Sequence, residues 1–282
     1  MKYCVSTYSF GGYLDSLGIR GVIDKAAELG FEGIEFVDGG YLDIPDEEIA
    51  AIGAYAREKG LETVDLCVGA DLWNGDTESG VAALKKNVDK ALLLGCKLMR
   101  HDVAYSLPCR KYGIGYSDAL LALVPACREV TEYAASKGVR TMTENHGYFS
   151  QDAERVMSLI NGVGHPNFGA LVDLGNFMCA DEDPAVSVSK LIPYAFHIHA
   201  KDFLFKPGTE IAPDGTWFST RAGNHLRGAV IGHGCAKIPQ SIGIVKRSGY
   251  DGWISVEFEG VEDNLRGIEL GLANLKRYAE IM

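Results

Sequence analysis

What this chain lacks narrows it first. No apolar run approaches the roughly 18–20 residues that a membrane-spanning helix requires. The opening stretch "MKYCVSTYSFGG" has one Lys and no long apolar segment, so no signal peptide is expected. Basic residues are in deficit, 27 Lys and Arg against 38 Asp and Glu, for a net charge of −11. Nucleic-acid binding relies on cations that neutralise phosphates, so this balance argues against such a partner. The seven cysteines (Cys4, Cys67, Cys96, Cys109, Cys127, Cys179 and Cys235) are odd in number and contain no CxxC pair. They read as reduced core thiols of a cytoplasmic protein. No linker or low-complexity tract interrupts the chain, and residues 1–282 are expected to form a single domain. The segment "YSFGGYLDS" after the first strand-like run is not a GxGxxG turn, which disfavours an open, doubly wound sheet.

What is present is a recurring pattern. It reads "AAELGFEGIEF" (26–36), "AREKGLETVDL" (56–66), "LLLGCKLMRHD" (92–102), "AASKGVRTMTEN" (134–145) and "VKRSGYDGWISVEFE" (245–259). Each copy is a helix-like tail, a Gly, then an apolar strand that ends in polar or charged residues. Gly just past a helix end adopts the left-handed backbone that other residues resist. Two more strands fit the last gap, "FGALVDLGN" (168–176) and "YAFHIHAKD" (194–202), and "KYCVSTYS" (2–9) supplies the first. Helices are expected at 46–59, 77–94, 117–137 and 263–281, from apolar residues at three- and four-residue spacing. Strands alternating with helices imply parallel pairing. Eight such units in a chain of this length predict an α/β fold, a (β/α)8 TIM barrel. The longest irregular stretch, 203–235, follows the seventh strand on the face where such barrels carry their chemistry.

The polar residues at the strand ends then matter. Strand five ends in Glu144, strand six in Asp173, strand seven carries His197 and His199, and strand eight carries Glu257 and Glu259. In "FHIHAKD" (196–202), His197, His199 and Lys201 alternate, so all three point to one face of the strand. A single Asp or Glu at a strand end is ordinarily a cap or an ion-pair partner. Four consecutive strands ending in Glu, Asp, His and Glu are costly to bury together unless something pairs them. One divalent ion would do so, and mixed oxygen and nitrogen donors suit Mn, Mg, Co or Zn.

At these residues the chain resembles the xylose-isomerase-like TIM-barrel superfamily, which contains sugar isomerases and epimerases, dehydratases and AP endonuclease family 2. The matching motifs are "TENHG" (143–147), "LVDLGNF" (171–177), "HIHAKD" (197–202) and "SVEFEG" (255–260). The resemblance implies the metal ligands Glu144, Asp173, His199 and Glu257, with Glu144 and Glu257 also catalytic. It implies a metal-dependent isomerase or epimerase acting on a sugar or related polyol through an enediolate. If a β-hydroxyl leaves instead, the same intermediate makes the enzyme a dehydratase. An endonuclease IV-like phosphodiesterase is disfavoured, because strands two and three end in "IEFVDGG" and "VDLCVGAD" without His. A sugar-binding barrel without catalysis would be expected to have lost a ligand, and all four positions are filled. A homo-oligomer is compatible with the sequence and not specified by it.

Six further residues are candidates for substrate contact, each with a plainer alternative. His146 follows Glu144. His197 is either a contact or a hydrogen-bonded core residue. Lys201 either donates to a substrate oxygen or pairs with Asp202 or another carboxylate. Arg100 and Arg227 are either anchors for an anionic substrate or ion-paired residues. Trp73 either stacks on a sugar face or packs.

Overall fold

A computed structural model describes residues 1–104 and 115–282, and Cys109 lies outside them. Along the chain, strands and helices alternate as the repeat predicts. The first half contains β1 (Lys2–Ser6), α1 (Gly12–Glu28), β2 (Gly33–Val37), α2 (Asp46–Glu58), β3 (Glu62–Val68), α3 (Thr77–Leu94), β4 (Leu98–His101) and α4 (Tyr116–Ser136). The second half begins with β5 (Arg140–Glu144), α5 (Ala153–Val163), β6 (Phe168–Asp173), α6 (Pro184–Leu191) and β7 (Ala195–Ala200). An excursion of β8 (Asp202–Lys206), β9 (Phe218–Ser219) and β10 (His225–Ala229) precedes α7 (Ile238–Arg247), β11 (Trp253–Val256) and α8 (Asn264–Ile281).

Eight strands close a parallel barrel in the order β1-β11-β7-β6-β5-β4-β3-β2. All five repeat glycines have positive φ, between 77° and 88°. At Gly95 the left-handed turn caps α3 and aims the chain into β4. Helix starts are fixed by carboxylates: Asp76, Asp152, Asp183 and Asp263 each accept a backbone N–H of the first turn. The main apolar core fills the space between helices and strands, with Leu84, Val88 and Leu94 of α3 fully or almost fully buried. Each such side chain contributes about 1.5–3 kcal/mol. Among the described cysteines only Cys235 is exposed. No helix of the described residues is long and apolar enough to cross a membrane.

One expectation needs correction. The stretch 203–235 is not wholly irregular, because β8, β10 and β9 form a three-stranded antiparallel sheet. Its strands pair from His225–Lys206 to Ala229–Asp202. Asp202 anchors the return of the chain: its carboxylate accepts backbone N–H groups of Phe203, Gly232, Gly234 and Ala236 at 2.8–2.9 Å. It is therefore not the partner of Lys201.

Candidate active site and metal centre

Neighbouring strands β5, β6, β7 and β11 bring Glu144, Asp173, His199 and Glu257 to the same end of the barrel. All four are buried, and one ligand atom from each lies within 4.8 Å of all the others. Glu144, His199 and Glu257 line a cavity of about 300 Å³ together with Tyr8, Arg100, His146 and Lys201, and Asp173 is sealed behind that lining.

Each ligand side chain is held by the backbone or by a neighbour. Asp173 Oδ1 accepts the backbone N–H groups of Gly175 and Asn176, both at 2.7 Å. Its Oδ2 is buried without a hydrogen-bond partner. Lys201 Nζ and His199 Nδ1 stand 3.8 and 3.9 Å from that atom, beyond hydrogen-bond range. Glu144 Oε1 accepts from Asn176 Nδ2 at 2.8 Å, and Oε2 lies 2.7 Å from the Arg100 guanidinium. Glu257 Oε2 lies 2.6 Å from Lys201 Nζ and 3.2 Å from His199 Nδ1.

The orientation of His199 is set from below. Glu35 Oε2, fully buried on β2, accepts from His199 Nε2 at 2.7 Å and from His197 Nε2 at 2.8 Å. Both Nε2 atoms therefore carry hydrogen, because a carboxylate only accepts. That leaves His199 Nδ1 facing Glu257, Glu144 and Asp173. A carboxylate behind a ligating imidazole fixes its orientation in this way.

The charges respond strongly to one another. Burial, followed by the neighbouring Glu144 and Glu257, pushes the Asp173 carboxyl up to about 7 against the pull of Lys201. Burial works the other way on Glu257, yet Lys201 and His199 hold it well below the usual carboxylate range. Burial also opposes the charged forms of His199 and Lys201. Glu35 and Glu257 nevertheless raise His199, and Glu257 and Glu259 raise Lys201, well above their ordinary values.

The residues fit a divalent ion. Three carboxylates and one imidazole form a hard, mixed donor set. The orphaned Asp173 Oδ2 is the structural test: leaving such an acceptor unsatisfied costs about 1–3 kcal/mol, and an ion among the four donors would satisfy it.

Of the six residues expected to touch substrate, His146, Lys201 and Arg100 line the cavity. His146 Nδ1 is held by Asp102 Oδ1 at 2.9 Å. The Arg100 guanidinium contacts both Asp102 and Glu144 at 2.7 Å, so it holds a carboxylate of the site instead of waiting for an anionic substrate. The other three lie outside the lining, in keeping with the plainer alternative for each. His197 is 0% exposed and bonded to Glu35, one layer beneath the cavity. Trp73 packs against the core on the loop after β3 and is not part of the lining. Arg227 lies on β10 with its guanidinium 5.5 Å from the Trp217 ring, also outside the lining.

Two contributors, Glu35 and Asn176, are not among the residues singled out in the sequence. Glu35 sits inside the strand-like run "GIEFV", and Asn176 inside the motif "LVDLGNF". Glu259 lines the cavity and lies 3.4 Å from both Lys201 Nζ and Tyr8 Oη.

Solved structures share this fold. A D-allulose 3-epimerase from Methylomonas sp. superposes with a TM-score of 0.74 at 19% identity, covering 99% of this chain and 98% of that one. The 3-keto-D-glucoside 4-epimerase YcjR from E. coli gives 0.73 at 17% identity, over 98% and 99%. The probable 3-DHS dehydratase AsbF from Bacillus anthracis gives 0.70 at 20% identity, over 98% and 99%. No curated protein sequence matches the chain. The description "Xylose isomerase-like TIM barrel" matches residues 23–278. The closed barrel and that match over nearly the whole chain make this protein a member of the xylose isomerase-like TIM barrel family.

Proposed function

We propose that the protein is a divalent-metal-dependent isomerase or epimerase that acts on a sugar or related polyol through an enediolate. The observation that supports this reading is the convergence of four candidate ligand atoms, from Glu144, Asp173, His199 and Glu257, within 4.8 Å beside a cavity that three of the four residues line. A divalent ion bound by these four residues would polarise a substrate carbonyl and the hydroxyl beside it, which acidifies the C–H between them.

The chain supplies the rest. Glu144 and Glu257 stand on strands three apart around the barrel, on opposite sides of a bound sugar. One takes the proton from carbon and the other returns a proton to the opposite face. Asn176 and Arg100 fix the Glu144 carboxylate. Lys201 donates to the substrate oxygen on which charge develops. His146, anchored by Asp102, stands in the cavity lining and contacts a substrate hydroxyl there.

The family likeness to sugar epimerases favours reprotonation. The likeness to a probable dehydratase keeps a second reading in view, in which a β-hydroxyl leaves in place of reprotonation. Metal analysis of the purified protein, followed by a sugar and polyol panel in deuterated water, tests both. Metal-dependent deuterium incorporation beside a carbonyl, without loss of water, is the expected NMR result. A deoxy or unsaturated product would assign the dehydratase. Absence of exchange across the panel in metal-loaded protein would overturn the proposal. Nicking of abasic DNA is expected to be absent.

A further inference from the structure

Glu259 takes no part in the chemistry proposed above, yet it lines the main cavity and a smaller one of about 140 Å³. His146 and Lys201 also line both, so these three residues stand where the two spaces meet. Glu257 and Glu259 lie two apart just past β11, and both line the main cavity. Phe258 between them is 1% exposed and belongs to the core. The placement is fixed from two sides. On one side Ser9 Oγ accepts from the Phe258 N–H at 2.9 Å and donates to the Val256 carbonyl at 3.0 Å. On the other, a Cβ at Gly228 of β10 would collide with the Glu259 carbonyl oxygen and stand 2.9 Å from its Cγ. The excursion packs against Glu259 because residue 228 has no side chain.

Other polar side chains at this junction already have close partners. Gln151 Oε1 accepts from the Tyr148 N–H at 2.6 Å, and its Nε2 donates to the Asn176 carbonyl at 2.8 Å. Asn176 Nδ2 is given to Glu144, and His146 Nδ1 to Asp102. Lys201 Nζ stands 2.6 Å from Glu257. Among the described residues the Glu259 carboxylate has no polar contact shorter than 3.4 Å, and both contacts at that distance, to Lys201 Nζ and Tyr8 Oη, fall on Oε2. Its side chain is 21% exposed, open to the cavity and partly shielded from bulk water. A carboxylate accepts hydrogen bonds and donates none, so it favours donors and repels a second anion. Neighbouring cations do not cancel that repulsion. Glu257, Glu259 and Asp173 all lie within 4 Å of Lys201 Nζ, and the Arg100 guanidinium is shared by Asp102 and Glu144.

We propose that Glu259 sets which substrates bind: it accepts a hydrogen bond from a hydroxyl on the part of the substrate beyond the reacting carbons, and it excludes molecules with a phosphate or carboxylate at that place. The proposal rests on the enediolate reading above and goes beyond it in fixing the charge that the substrate can carry. Glu259 moves no proton in the reaction. Its effect falls on the choice between a hydroxyl-bearing chain and its phosphorylated counterpart, and a side chain that served only to support the fold would not alter that choice.

Calorimetry on the manganese-loaded protein tests this with two probes, D-erythronohydroxamate and its 4-phosphate. The two oxygens of a hydroxamate chelate a divalent ion and imitate a planar enediolate, so neither probe requires the true substrate. The phosphate is expected to bind about tenfold more weakly than the unphosphorylated probe. Glu259→Gln keeps the shape and removes the charge. It should weaken the unphosphorylated probe by about tenfold, through loss of a charged acceptor, and close most of the gap between the two. Glu259→Asp keeps the charge and should keep the gap. The ratio is read within each protein, so a partial loss of metal or of folded protein leaves it unchanged. Equal affinities in the unaltered protein, tighter binding of the phosphate, or a gap that survives in Glu259→Gln would overturn the role of Glu259 and leave the metal chemistry standing. Failure of both hydroxamates to bind the metal-loaded protein would instead break the enediolate reading, and the role of Glu259 with it.

Discussion

Two of the side-chain groups in the barrel that could hold an ion combine the same residue types, Glu, Asp and His. The lower one joins Glu35, Asp65 and His197, and the upper one joins Glu144, Asp173, His199 and Glu257; in each, the ligand atoms lie within 4.8 Å of one another. The lower cluster is wholly sealed, with all three residues 0% exposed and absent from the cavity lining. One oxygen of Glu35 is taken by two imidazoles, and Asp65 accepts from the Arg100 backbone at 3.1 Å and from the Cys67 thiol at 3.3 Å. Burial, then the nearby charge of Glu35, pushes the Asp65 carboxyl up to about 6. Glu144, His199 and Glu257 of the upper cluster line the cavity, whereas no residue of the lower cluster does. Each cluster retains a buried carboxylate oxygen without a hydrogen-bond partner among the described residues, Glu35 Oε1 below and Asp173 Oδ2 above. Neither the proximity of ligand atoms nor an orphaned oxygen therefore separates the two clusters, and access does.

The comparison breaks most sharply at the upper carboxylates. Glu144→Gln and Glu257→Gln should each lower turnover by about 10²–10⁴-fold. A near-normal kcat for Glu257→Gln would end the two-carboxylate scheme.

In the lower cluster the largest effect should fall on stability. Glu35→Leu leaves two buried imidazole N–H groups without an acceptor, and removing one partner of a buried charged network costs about 3–5 kcal/mol, measurable by urea unfolding. Glu35→Gln keeps an acceptor oxygen in place and should fold. Its deficit should appear in the upper cluster: metal titrated into the apoprotein is expected to bind about 10–100-fold more weakly, since a ligating imidazole loses the carboxylate behind it. Unchanged metal affinity in Glu35→Gln would show that the lower cluster is scaffold and nothing else.

The barrel was legible in the chain because its signal is local and repeated. Each repeat Gly sits between a helix tail and a strand, and strands β5, β6, β7 and β11 carry the polar residues that converge at or just past their ends. The four ligand candidates were legible for the same reason. Glu35 was not, because its partners His197 and His199 are 162 and 164 residues away, and nothing near "GIEFV" marks the contact. His197 shows a different gap. Alternation puts His197 and His199 on one face of β7, with Lys201 just past the end of the strand, but residues two apart are separated by about 6.6 Å along a strand. One face thus spans a sealed layer and an open one, and a pattern with period two cannot say where the boundary falls. In the excursion, β9 has only two residues, too few to leave a pattern.

The smallest expected effect concerns the two arginines that share a sequence-level role and differ in the fold. Arg100 is buried between Asp102 and Glu144, so its positive charge is part of the electrostatic balance of the site. Arg227 lies on the antiparallel sheet, and its visible interaction is with the Trp217 ring. A cation–π contact at such a half-exposed position is worth about 0.5–1 kcal/mol. Arg227→Ala should accordingly cost no more than that in stability and leave kcat within about twofold, since no side chain of the carboxylate cluster depends on it. Steady-state kinetics on the preferred substrate checks this. A tenfold loss of kcat/KM with intact stability would mean that the substrate reaches Arg227, and the border between site and excursion would have to be redrawn there.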